Sequence, residues 1–347
     1  MKIIREGVCG QTRSGKPVER YILEDGGLRA AVLTYGGILQ NLWVPDRQGN
    51  LRDIVLGCDT VADYQAQDKF LGALIGRYAN RIERGRFSLN EETYALYCND
   101  GRNHLHGGKK GFDKRIWDAE TQADGLHLRL TSPDGEEGYP GTLKTEVVYA
   151  LADGALSISY WAQTDADTLC NLTNHTYFNL AGHGSGDVLA QEIRLEAELF
   201  TPADEESIPH GEAAPVNGTP MDLREFTPIG AQIDADFAQL RFSGGYDHNW
   251  VLRGIPGVLR PAAAARCAES GITLTCETTQ PGIQFYAGNF LDGSTAGKDG
   301  VRYPRRSGFC LETQAFPNSV NCPEYPQAVL HAGETYRHQT IYRFGIE

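Results

Sequence analysis

Leu143-Lys144-Thr145-Glu146-Val147-Val148-Tyr149, then Ala152-Asp153-Gly154, then Ala155-Leu156-Ser157-Ile158-Ser159-Tyr160: apolar and polar residues alternate, pause at an Asp-Gly pair and alternate again. A period of two puts every second side chain on one face, as in a half-buried strand. Asp-Gly between two such runs is a hairpin turn, because glycine takes the positive φ that a tight turn demands. The pattern recurs over Arg86-Phe87-Ser88-Leu89, Asn90-Glu91-Glu92 and Thr93-Tyr94-Ala95-Leu96. Further strands are expected over 28–34, 126–131, 191–197, 272–278, 283–287, 308–312 and 339–344, and short helices only over 60–69 and 231–240. Many short strands punctuated by turns predict an all-β protein, a sandwich or a barrel. No repeat, linker or shift in composition divides the chain, so one domain over 1–347 is expected.

Bulk composition narrows the partners. Net charge is −13, which argues against nucleic acid and anionic membrane and suits a neutral or small ligand. The eight cysteines form no C-x-x-C pair, so a structural zinc site is not expected. The first residues, MKIIREGVCG, lack the apolar core of a signal peptide, and no run reaches membrane-spanning length. These features predict a reduced, cytoplasmic protein.

Five segments concentrate polar residues among glycines and aromatics. Asn174-His175-Thr176-Tyr177-Phe178-Asn179-Leu180 sets a histidine between amides and two aromatic rings. Aromatic faces suit the C–H side of a pyranose and polar groups its hydroxyl rim. A histidine there can move a proton near neutral pH, or it can be a core residue bonded to a carbonyl. Gly76-Arg77-Tyr78-Ala79-Asn80-Arg81-Ile82 carries two arginines, which either bind an anion or, more commonly, join ion pairs. Asn103-His104-Leu105-His106-Gly107-Gly108 has an H-x-H pair whose rings share a face on a strand, a weak metal signal. Its Gly-Gly permits close backbone approach by a ligand. Gly245-Tyr246-Asp247-His248-Asn249 reads as an Asx-turn between strands, or as a site acid after a flexible turn. Gln280-Pro281-Gly282-Ile283-Gln284-Phe285-Tyr286 leads to Gly308-Phe309-Cys310-Leu311-Glu312, where Glu312 closes an apolar strand and either caps a neighbour or serves as a base.

In this order, GRYANRI (76–82), NHLHGG (103–108), GFDKRIW (111–117), NHTYFNL (174–180), GYDHN (245–249), QPGIQFY (280–286) and SGFCLET (307–313) closely resemble the aldose 1-epimerase (galactose mutarotase) family. The resemblance implies a large antiparallel β-sandwich, the galactose mutarotase-like supersandwich. It also implies interconversion of the α and β anomers of free aldohexoses such as D-galactose and D-glucose, with no metal or organic cofactor. Matched motif by motif, Glu312 resembles the general base and His175 the general acid. Asn80, Arg81, His106, Asp247 and Gln284 resemble the substrate-binding residues, and Tyr177 beside the acid is expected to line the sugar. The implied partner is a small aldose, and the chain is expected to be a monomer or homodimer.

The implied chemistry is ring opening. A base takes the C1 hydroxyl proton, an acid protonates the ring oxygen, and the aldehyde recloses from its other face. Two proton-transfer groups on opposite sides of the anomeric centre are expected, with Asp247 raising the pKa of His175. Three rivals stand beside this: a hexose 6-phosphate 1-epimerase whose arginines read phosphate, a non-catalytic sugar-binding sandwich, and a metal enzyme built on His104 and His106.

Overall fold

A computed structural model describes residues 1–294 and 296–347. The hairpin forms as expected but runs longer: Leu143–Ala152 pairs antiparallel with Ala155–Thr164, from Leu143 opposite Thr164 to Ala152 opposite Ala155. Asp153 and Gly154 both take left-handed φ, 50° and 73°. Two such residues in a row give the turn twist that matches the strands it joins. Val147, Tyr149 and Leu151 fall on the buried face, as the alternation requires.

This hairpin lies inside a nine-stranded antiparallel sheet. A six-stranded sheet packs against it, ordered Tyr177–Phe178, Phe309–Gln314, Gly282–Tyr286, Asp247–Leu252, Ala197–Thr201, Ala214–Pro215. The first 53 residues form a five-stranded antiparallel meander from Lys2–Gln11 to Leu51–Asp53. One buried apolar cluster draws on all three sheets, through residues such as Leu42, Tyr149, Leu274, Phe285, Phe309 and Tyr342. The fold is therefore an all-β sandwich.

Several expected elements come out differently. The 191–197 run is two strands: Glu192–Leu195 belongs to the nine-stranded sheet and Ala197–Thr201 to the six-stranded one. The chain changes sheets at Glu196, a corner of the kind that joins packed sheets. Over 231–240 the helix is only Ala238–Ser243. Ahead of it Asp234 is drawn out to the Arg306 guanidinium, and aspartate competes poorly as a helix former. Residues 60–69 yield Val61–Ala66, started by Thr60, whose Oγ1 accepts the Asp63 N–H at 3.1 Å. The 245–249 segment is no Asx-turn, since Asp247 opens the strand Asp247–Leu252. Nor does Glu312 close its strand, which runs on to Gln314 with all six residues buried.

Candidate active site

Antiparallel pairing decides which side chains gather. Directly opposed residues share a face. Glu312 stands opposite Gln284, Cys310 opposite Tyr286 on one side and Tyr177 on the other, and Tyr286 opposite Asp247. All of these project from one face of the six-stranded sheet. The alternate residues Phe178, Phe285, Phe309 and Leu311 project from the other and fill the core.

The polar face floors a cleft of about 510 Å³. Asn80, Arg81, His106, His175, Tyr177, Asp247 and Glu312 all line it. Gln284 does not. It donates its Nε2–H to Asp247 Oδ1 at 2.7 Å, and its own Oε1 is buried without a hydrogen-bond partner in the protein. A hollow of about 660 Å³ on the far side of Phe70 is lined by Asp113, Lys114, Arg115 and Ile116 of the GFDKRIW motif but by none of the candidate catalytic or substrate-binding residues.

His175 is 4 % exposed and Glu312 2 %. Nε2 of His175 lies 3.6 Å from Oε1 of Glu312. The two are side by side, not across from one another. Ring oxygen and C1 hydroxyl share one carbon, so the groups that exchange protons with them must also stand close together. Glu312 Oε2 is buried and makes no hydrogen bond within the protein. An orphaned buried carboxylate oxygen is destabilising unless a ligand satisfies it.

The flanking amides do not face the cleft. Asn174 ties backbone together: its Nδ2–H donates to Gly72 O at 2.9 Å and its Oδ1 accepts the Thr176 N–H at 3.1 Å. Asn179 does the same toward Gly186 and Ser307. They hold His175 in place from behind. Tyr177 lies 5.0 Å from the His175 ring, and Phe70 stacks on it at 5.7 Å.

Asn80 and His106 clamp each other. The Asn80 N–H donates to His106 Nδ1 at 3.0 Å, and the His106 N–H to Asn80 O at 3.2 Å. Burial lowers the His106 pKa well below its ordinary 6.5, with the neighbouring His175 adding to the effect. A neutral ring that accepts at Nδ1 carries its proton on Nε2 and presents a donor to a sugar oxygen. His106, His175 and Glu312 have metal-ligand spacing, with ligand atoms within 4.8 Å of one another. Because His106 holds its proton outward, it offers hydrogen bonding there and no lone pair for an ion.

His104 and His106 do not share a face. His104 turns inward, its ring nitrogens meeting Tyr97 O and the Tyr139 hydroxyl, while His106 takes a left-handed φ of 52°. The backbone that crowds the following glycine is the protein's own: a Cβ on Gly107 would sit 1.8 Å from Gly76 O. The arginines separate likewise. Arg77 is buried among Ser132, Pro133 and Pro140, a structural anchor. Arg81 reaches the cleft and bonds Asp100 Oδ2 through Nε at 2.7 Å.

Burial governs the titrating groups. It raises Glu312 well above the ordinary carboxylate value, helped by Asp247 and opposed by Arg81. It also raises Asp247, again opposed by Arg81. His175 is pushed down to about 4 by burial. The expected elevation of His175 by Asp247 is thus reversed: desolvation dominates, and Asp247 acts on Glu312 instead. Burial thus biases both groups toward their neutral forms.

Motif reading missed Phe70, Tyr97, Asp100, Tyr286 and Phe290, all on the cleft wall. Tyr286 was findable, since it lies two residues beyond Gln284 on the same face of one strand. Phe70 and Phe290 sit in loops, which carry no periodicity.

A concave polar face on a β-sandwich, with a carboxyl and an imidazole buried side by side at its floor, fits an enzyme that moves protons on a small hydroxylated molecule. The sequence profile of the aldose 1-epimerase family matches residues 19–343. The galactose mutarotase of Bos taurus is 46% identical over 329 residues, covering 95% of this chain and 94% of that protein. That of Homo sapiens is 44% identical over 347 residues, the full length of both. The crystal structure of galactose 1-epimerase from Lactobacillus acidophilus superposes with a TM-score of 0.86 at 28% identity, covering 100% of this chain and 99% of that one. This chain belongs to the aldose 1-epimerase family and is an isomerase.

Proposed function

We propose that this protein interconverts the α and β anomers of free aldohexoses, D-galactose and D-glucose among them, with Glu312 as general base and His175 as general acid. The observation that carries the assignment of roles is the buried pair 3.6 Å apart, with one carboxyl oxygen left without a partner in the protein. When Glu312 holds the carboxylate and His175 the imidazolium, the C1 hydroxyl proton passes to Glu312 and the Nε2 proton to the ring oxygen. The C1–O5 bond opens. Rotation about C1–C2 and the reverse transfers close the other anomer. Tyr177 and Phe70 offer apolar faces to the sugar, His106 and Asn80 hold its oxygens, and Arg81 stabilises the carboxylate form of Glu312. Gln284 acts through Asp247.

Charge balance on the cleft wall supports a neutral substrate over a sugar phosphate. Of the four cations on the wall, Arg81 pairs with Asp100, Lys69 with Asp68 and Lys114 with Asp113, while Lys109 lies over the Tyr97 ring. The acid–base pair argues against a purely binding role. One domain over 1–347, a cytoplasmic compartment and a monomer or homodimer belong to the same reading. The shared apolar cluster supports the first, and eight free thiols support a reducing compartment. No helix among the described residues is long and apolar enough to cross a membrane.

Polarimetry on freshly dissolved α-D-galactose tests the reading. The protein should speed the decay to the same final rotation, and Glu312→Gln should lose about 10²–10⁴-fold of that acceleration. A Glu312→Gln variant as fast as the parent would remove Glu312 from the chemistry. No acceleration with either α-galactose or α-glucose would overturn the activity.

A further inference from the structure

The imidazole of His175 has two nitrogens, and the chemistry above uses only Nε2. Nδ1 points away from the cleft, into the layer beneath it, and meets the sulfur of Cys310 at 3.5 Å. Cys310 is fully buried, on the same sheet face as Glu312 and two residues before it. Its sulfur has no other hydrogen-bonding neighbour among the described residues. Burial, with the Glu312 and Asp247 carboxyls nearby, pushes the thiol pKa well above its ordinary 9.0, so the sulfur stays a neutral thiol with lone pairs to offer.

Resting on the proposed acid–base roles, we infer that Cys310 is a positioning residue whose sulfur accepts the Nδ1–H of His175, keeping the neutral imidazole with its Nε2 lone pair toward Glu312 and the substrate. The roles demand that tautomer. An imidazolium that gives its Nε2 proton to the ring oxygen is left with Nδ1–H and a bare Nε2. Reclosure needs that bare Nε2 to take the proton back. Were the neutral ring to relax to Nε2–H, its lone pair would face the sulfur and the base for the return step would be gone. The imidazole N–H is a stronger donor than a thiol S–H, so the contact with the sulfur favours Nδ1–H over the tautomer in which the thiol would donate. The rival acceptor is the carbonyl of His175 itself, a backbone hydrogen-bond partner of its own ring. It already accepts the Gly72 N–H at 3.0 Å, so only its second lone pair is open to the ring.

The ¹⁵N shifts of the His175 ring, read by long-range ¹H–¹⁵N correlation in the intact protein, test this without any substitution. Wild type should show Nδ1–H as the neutral tautomer. Cys310→Ser, which keeps an acceptor, should retain both that tautomer and kcat. Cys310→Ala should populate Nε2–H and lower kcat by about tenfold with KM little changed, the lower end of what removing an imidazole's orienting partner costs at metal sites. Cys310→Val, nearer in volume, takes its place if the alanine variant does not fold. An Nε2–H tautomer in wild type overturns the inference. So do unchanged shifts and kcat in the variant lacking an acceptor. Failure of the underlying activity would be seen separately, as no polarimetric acceleration by wild type, whatever the tautomer.

Discussion

Glu312 and His175 are held in the ionisation states that burial prefers, and this has a consequence for stability. A carboxyl whose pKa is raised on folding binds its proton more tightly in the native state than in the unfolded chain. Its contribution is complete below the ordinary value of 4.5 and is lost as pH climbs toward the elevated one. Glu312→Gln should therefore be more stable than wild type at about pH 8, with the difference shrinking as pH falls toward the ordinary value of 4.5 and levelling off below it. Thermal unfolding across pH measures this, and a difference independent of pH would contradict it. His175 works in the opposite sense: its pKa is lowered from 6.5 to about 4, so the stability it contributes is present above 6.5 and lost as pH falls toward 4. At this scale the sequence singled out most of the polar residues that line the cleft, but not their pKa values. Asp247 was expected to act on His175. It acts on Glu312, because the registry of two strands places it there and desolvation outweighs any charge felt by the histidine.

Strands with regular alternation were legible, and those lacking it were not. Ile272–Thr278 was bounded correctly because Ile272, Leu274 and Cys276 alternate with polar residues and all three are buried. Lys2–Gln11 and Pro17–Asp25 went unseen. The first is an edge strand with few buried residues and two bulges, and a bulge shifts the period by one. Arg260–Arg266 is a run of alanines with no amphipathic contrast. The Asp153-Gly154 turn was read correctly because its requirement is local. Gly154→Val should destabilise by about 1–2 kcal/mol, the cost of holding an L-residue in the left-handed region. The turn lies in the nine-stranded sheet, away from the cleft, so the variant's kcat at a permissive temperature should equal wild type. Chemical denaturation alongside polarimetry checks both, and a fall in kcat with stability intact would be the contrary result.

Across the whole molecule, one sheet supports the chemistry of the other. The Tyr342 hydroxyl, from the nine-stranded sheet, donates to Leu311 O at 2.9 Å, directly beside Glu312. Tyr342→Phe should lower stability by about 1 kcal/mol, as loss of one buried hydrogen bond does. It should also reduce kcat far less than Glu312→Gln; unchanged stability in urea would show that the bond contributes nothing. What the sequence by itself determined is what short range decides: strand alternation, hairpin turns, the all-β class, and the polar residues standing among glycines and aromatics. Which of those residues meet was decided by tertiary structure. Arg81 and not Arg77, His106 and not His104, Asp247 in the cleft with Gln284 hydrogen-bonded to it, and His175 beside Glu312 with a thiol at its back all follow from strand register and sheet packing. Those depend on contacts between residues far apart in the chain, and no local spacing encodes them.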